Sequence, residues 1–282
     1  MGRSGSTYIR NLLGKLDENI CLVTGKQMEL IQTRHPSRAL CSYDLLEFAE
    51  HDIKNRFSDT ELDLQNAKNF FYKCPVSKLL SISDTIFTSV LPAIIINRHP
   101  VNVCRSSSKR EFIEKSRSAE ETKRQILITA EKLKFERIAD FESEMLRYSG
   151  NALMTGAVIF KYSYLLQNLF FSRYHTAPVI TFSFEHFIQE PENVFIAMLD
   201  FLGIEPAPEK ISMLRTPFYC NAEEEGGIQM SSLIDSGKLN TIKYEDSESE
   251  ELYSYLKTIC DELGYSKECG LYPVRVICSN GG

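Results

Sequence analysis

The sequence predicts an α/β fold, a central and largely parallel sheet flanked by helices. Short apolar runs rich in β-branched and aromatic residues recur along the chain, and between them lie longer stretches with apolar residues at three- and four-residue spacing. That alternation is the signature of helices laid over a parallel sheet. The third observation is scale: 282 residues, 43% of them apolar and 11% aromatic, suffice for one large domain or two small ones and exclude disorder of the whole chain.

Taken in order, the strands are expected at residues 20–24, 70–73, 93–98 and 179–184. Helical spacing is expected over residues 38–51, 62–69, 76–89, 101–110, 120–146 and 152–171. Residues 116–147 are highly charged, with apolar positions at Ile126, Ile128, Leu133, Phe135, Ile138 and Phe141, which suits a partly exposed helical excursion over about residues 115–175. The aromatic-rich segment 162–174 reads as core, and Glu223 to Gly227 as a loop. No internal repeat interrupts the pattern, and residues 1–282 are expected to form a single domain.

A net charge of −6 argues against general nucleic-acid binding, so a phosphate site has to be a local cluster. No run of eighteen apolar residues occurs, so no membrane segment is expected, and the expected location is the cytoplasm, or the Golgi lumen if an anchor precedes this chain. The eight cysteines contain no C-x-x-C pair and no zinc-type spacing. They read as reduced, buried thiols, although Cys260, Cys269 and Cys278 lie close enough in sequence to pair in an oxidising compartment. No metal site is expected.

Two segments point to phosphate chemistry. Gly2-Arg3-Ser4-Gly5-Ser6-Thr7 leads into Tyr8-Ile9-Arg10-Asn11-Leu12-Leu13, a helical apolar pattern entered through a glycine-containing turn. Such a turn aims free N–H groups and a helix dipole at one point. No lysine follows the second glycine as in a nucleoside-triphosphate loop, so Arg3 has to supply the cation. The second segment is the buried run Ala93 to Asn97, which ends in Arg98 and continues through His99-Pro100 into a serine-bearing helix. A cation at the carboxyl end of a strand, beside a helix start, sits where open α/β sheets bind ligands. Arg98 and Ser106 are eight residues apart and able to converge on one phosphate.

Together these segments resemble the sulfotransferases that use 3′-phosphoadenosine 5′-phosphosulfate (PAPS). Arg3-Ser4-Gly5-Ser6-Thr7 is similar to the family's 5′-phosphosulfate loop, and Arg98-His99-Pro100-Val101-Asn102-Val103-Cys104-Arg105-Ser106 to its 3′-phosphate motif. Lys73-Cys74-Pro75 resembles the K-T-P that follows a strand in many members. Phe184-Glu185-His186-Phe187, Glu190-Pro191-Glu192 and Phe201-Leu202-Gly203 resemble Y-E-D-L, D-P-E and F-L-G. Ser236-Gly237-Lys238-Leu239-Asn240 and Leu263-Gly264-Tyr265 look like the G-K/R-W and L-G-Y elements, within a C-terminal cofactor-loop and helix region at about 220–282. The pattern is closer to the tyrosylprotein, carbohydrate and bacterial branches than to the cytosolic small-molecule branch. His99 stands in place of an acidic residue and Phe184 in place of a tyrosine, and only Met1 precedes Gly2, so the strand before the phosphate loop is expected to be lacking from a P-loop-like sheet.

The resemblance implies transfer of a sulfuryl group from PAPS to a hydroxyl or amine acceptor, with adenosine 3′,5′-bisphosphate as product and no metal. The acceptor is a carbohydrate, a small molecule or a protein tyrosine. Arg3, Ser4, Gly5, Ser6, Thr7, Arg98, Ser106, Phe184 and Lys238 would hold the cofactor; Arg3 and Lys73 would stabilise charge on the leaving oxygen, and Glu29 would be the base. His35 and His51 read as a turn and a helix-surface residue. Two alternatives stay open. A small-molecule kinase should carry a phosphate-loop lysine and a strand-end aspartate for Mg²⁺, neither of which is found. An inert nucleotide-binding member of the same fold is the other.

Overall fold

The computed structural model describes residues 9, 12–13, 20–23, 69–72, 76–82, 85, 89–90, 92–108, 116–215 and 247–265. Within them the arrangement is α/β. Strand β1 (Ile20–Val23) pairs in parallel with β2 (Asn69–Tyr72), and β3 (Ala93–Asn97) pairs in parallel with β4 (Val179–Ser183). The β3–β4 register sets Ala93 opposite Val179 and Asn97 opposite Ser183, so the two strands end level with each other. Whatever follows them emerges side by side. Helices α1 (Val76–Ile82), α2 (Pro100–Ser108), α3 (Ser116–Lys132), α4 (Ile138–Arg147) and α5 (Ala152–Arg173) precede β4. Helices α6 (Phe184–Gln189), α7 (Pro191–Phe201), α8 (Pro208–Ser212) and α9 (Ser247–Glu262) follow it.

Three sequence expectations need correction. The strand expected to run through Phe184 stops at Ser183, because the Ser183 side chain accepts the N–H of His186 at 3.0 Å and caps a helix that starts at Phe184. The helix expected over 62–69 cannot include Asn69, which is the first residue of β2 and lies opposite Ile20. The single helix expected over 120–146 is two. Lys134 takes a left-handed φ of 51°, its N–H bonds the carbonyl of Glu131 and that of Phe135 the carbonyl of Ala130, which closes α3 and redirects the chain into α4. That stop is normally made with glycine, and a lysine gives no sequence signal for it. Of the apolar positions in the excursion, Ile126, Leu133 and Phe141 are buried. Its charges pair on the exposed side, Arg124 with Glu121 and Arg137 with Asp140.

Burial divides into three clusters. In the first, Ile9, Leu12 and Leu13 of the helix after the glycine loop pack with Phe182, Phe184, Phe187, Phe195, Met198 and Leu199, against Ile94 and Ile96 of β3. The second joins α3, α4 and α5 through Ile126, Leu133, Phe141, Tyr162, Leu166 and Phe170. Its neighbour α1 is tied on by Thr129, whose hydroxyl donates to the Ser77 carbonyl at 2.7 Å, and by Lys132, whose Nζ donates to the Leu80 carbonyl at 2.6 Å. The third packs Val101 and Cys104 of α2 and Met154 and Ala157 of α5 against Leu252, Leu256, Ile259 and Cys260 of α9. Cys104 and Cys260 are free and buried, and burial pushes both thiols up, Cys260 to about 12.

Helix α9 is also fastened by polar contacts. Glu144 of α4 accepts from Lys161 Nζ at 2.8 Å, from Tyr162 at 3.2 Å and from the hydroxyl of Tyr255 on α9. Burial alone would raise the Glu144 carboxyl, yet the bonds from Lys161 and Tyr255 outweigh it and hold the group below the ordinary carboxylate value. At its far end α9 stops at Gly264, φ 76°, with the Gly264 N–H on the Asp261 carbonyl and the Tyr265 N–H on the Cys260 carbonyl. The left-handed turn folds Tyr265 back beneath the helix, where it is 2% exposed. Among the described residues no helix is long and apolar enough to cross a membrane.

Candidate functional site

Because β3 and β4 end in register, Arg98 and Phe184 are the next residues of two adjacent chains. Their side chains meet: the guanidinium carbon of Arg98 lies 5.8 Å from the centroid of the Phe184 ring. Phe184 is itself buried in the first cluster, stacked on Phe187, so its contacts support Arg98 from the core side. That cluster also contains Ile9, Leu12 and Leu13, so these helical residues share one core with Ile94 and Ile96 of β3.

The next residue of α6, Glu185, organises the junction. Its carboxylate is 4% exposed; Oε1 accepts the backbone N–H of His99 at 3.0 Å and stands 4.0 Å from Arg98 Nε. The other oxygen, Oε2, accepts the hydroxyl of Tyr265 at 2.9 Å. His99 immediately precedes α2, whose first residue is Pro100, and its carbonyl accepts the N–H of Val103 to begin the helix. The carboxylate therefore lies at the positive end of α2. The His99 ring, fully buried, packs 4.9 Å from that of Tyr265 at 56°. Three segments quoted separately from the sequence, Arg98-His99-Pro100, Phe184-Glu185-His186-Phe187 and Leu263-Gly264-Tyr265, thus meet at one carboxylate.

Burial pushes the Glu185 carboxyl above the ordinary carboxylate value, while the N–H of His99, the hydroxyl of Tyr265 and the charge of Arg98 act in the opposite direction. For Arg98, burial lowers the guanidinium, with Glu185 and Tyr265 opposing. A carboxyl raised on folding keeps its proton to higher pH than in the unfolded chain, so its contribution to stability is present below the unfolded value and is lost as pH rises through the folded one. Glu185→Gln is neutral at every pH and keeps an acceptor for His99. Its stability relative to the wild type should therefore improve as pH rises above the ordinary glutamate value. Urea midpoints at several pH values test this; a difference flat across the range would show that the carboxyl titrates as in the unfolded chain.

Of the residues singled out from the sequence, Arg98 and Phe184 are brought together here. Ser106 lies in α2, about 9 Å along the axis from Pro100 at 1.5 Å per residue, and its backbone is helical. Arg3, Ser4, Gly5, Ser6, Thr7, Glu29, Lys73 and Lys238 lie outside the described residues. Sequence reasoning quoted Glu185, His99 and Tyr265 as motif letters but gave them no place in the site. Among the described residues no group of three or more His, Cys, Asp or Glu side chains is arranged to hold a metal.

No family model and no curated protein matches the chain. Among solved structures, the chain aligns with the sulfotransferase domain from the curacin biosynthetic pathway at 15% identity and a TM-score of 0.47, over 91% of this chain and 94% of that one.

Proposed function

We propose that this chain is a sulfotransferase that transfers a sulfuryl group from PAPS to a hydroxyl or amine acceptor. The observation that carries the reading is the position of Arg98: a strand-end cation, level with the end of a parallel neighbour and beside the start of α2. Open α/β sheets hold their ligands at such a place. The motif order along the sequence supports the same reading, with the glycine loop first, Lys73 after a strand, then Arg98 and Ser106.

In this reading Arg98 and Ser106 hold the 3′-phosphate, and Arg3 with the amides of Gly5 to Thr7 surrounds the 5′-phosphosulfate. Phe184 and Lys238 complete the cofactor contacts. Bound PAPS supplies the sulfuryl group. The acceptor oxygen or nitrogen forms a bond to sulfur as the bond from sulfur to the bridging oxygen breaks; Glu29 takes the acceptor proton, and adenosine 3′,5′-bisphosphate leaves. Negative charge grows on the bridging oxygen, where Arg3 and Lys73 stabilise it.

The test has two steps. Adenosine 3′,5′-bisphosphate should raise the melting temperature and ATP with magnesium should not, after which labelled sulfate should pass from PAPS to a carbohydrate, phenol or tyrosine peptide. Stabilisation by ATP and magnesium alone would replace this reading with a kinase. Bisphosphate binding without transfer to any acceptor class would leave an inert nucleotide-binding protein.

A further inference from the structure

We propose that Glu185 is a positioning residue for Arg98 and that Tyr265 secures it, which makes the end of the last described helix part of the anion site. The inference rests on the reading of Arg98 as a ligand of the 3′-phosphate. Both oxygens of the carboxylate are committed, one to the His99 N–H at 3.0 Å and the other to the Tyr265 hydroxyl at 2.9 Å. Through the first bond Glu185 fixes the peptide that joins Arg98 to His99, and so the direction in which the Arg98 side chain leaves β3. Beyond the backbone, the guanidinium has two neighbours, the carboxylate, 4.0 Å from Nε, and the Phe184 ring, 5.8 Å from the guanidinium carbon.

A buried carboxylate is a poor device for stability, since apolar residues of similar volume commonly do as well or better. Its value lies in orientation. An arginine already restrained in its binding conformation loses less freedom when the anion arrives, and the affinity is correspondingly higher. Tyr265 reaches the carboxylate because the left-handed Gly264 folds the chain back under α9, and its ring packs on His99 on the same side. The carboxylate is thereby held from α9 and holds the end of β3 in turn.

Three variants of the full chain separate positioning from general support: Glu185→Ala, Glu185→Gln and Tyr265→Phe, which keeps the ring against His99 and removes only the hydroxyl. Calorimetry would give the dissociation constants of adenosine 3′,5′-bisphosphate and of adenosine 5′-monophosphate, which lacks the 3′-phosphate. Glu185→Ala should weaken the bisphosphate about tenfold or more and leave the monophosphate unchanged. Glu185→Gln should recover the bisphosphate to within about threefold of the wild type, and Tyr265→Phe should lose about threefold, again for the bisphosphate alone. If Glu185→Ala does not fold, the other two variants decide. Equal loss for both nucleotides, or no loss for either in folded Glu185→Ala or Tyr265→Phe, would overturn the positioning role. A wild-type protein with no preference for the bisphosphate would instead overturn the reading of Arg98 on which the proposal rests.

Discussion

Replacing Arg98 by alanine is expected to weaken adenosine 3′,5′-bisphosphate binding by about 2–4 kcal/mol, the usual effect of removing a charge-assisted contact to phosphate. At 1.4 kcal/mol per decade this is about 30- to 1,000-fold in the dissociation constant. The size follows from the site: the Arg98 side chain is 19% exposed and its guanidinium has an aromatic ring beside it, so little bulk water screens it. Titration of wild type and Arg98→Ala at one fixed salt concentration checks this, with Arg124→Ala, an exposed arginine paired to Glu121, as control. An unchanged constant for Arg98→Ala would remove the residue from the phosphate site.

Phe195→Ala is expected to destabilise the fold by about 3–5 kcal/mol, the range for truncating a buried aromatic residue. Phe195 is fully buried on α7, in the cluster where the helix after the glycine loop meets Phe182, Phe184 and Phe187. Those neighbours belong to a strand and two helices, so they cannot all move into the space a removed ring leaves. Leu146→Ala, at a position 77% exposed on α4, should change stability by about 0.5 kcal/mol or less. Denaturant midpoints of the two variants give the comparison. A loss at Phe195 no greater than that at Leu146 would mean that the first cluster is not the core described here.

The strands were readable because their signal is local. Ala93 to Asn97 and Val179 to Ser183 are short apolar runs, and the structure places β3 and β4 within a residue of the sequence bounds. The end of β4 was misread for a local reason too, since Phe184 suits a strand by type and only the cap from Ser183 to the His186 N–H turns it into the start of a helix. Lys134 shows the opposite case, a backbone conformation that nothing in the residue type announces. In the candidate site, Arg98 was legible as a candidate because a cation at the end of an apolar run stands out by itself. Glu185 was not, because what singles it out is where its partners lie, and neither the amide of His99 nor the hydroxyl of Tyr265 is near it in sequence.

Those same separations bear on how the protein is made. The two hydrogen bonds of Glu185 span 86 and 80 residues, so they are among the costliest in loop closure to form. A ribosome delivers β3 and Arg98 long before β4 and Glu185, and Tyr265 later still. The first bond can close once α6 has been synthesised, whereas the second must wait for the whole of α9. A chain that stopped between residues 215 and 247 would therefore contain the residues of both parallel strand pairs and of the first bond, but not the partner of Glu185 Oε2. Closure of the second bond is in this way deferred until α9 has been made, and a chain lacking α9 would hold the Glu185 carboxyl by one of the two bonds only.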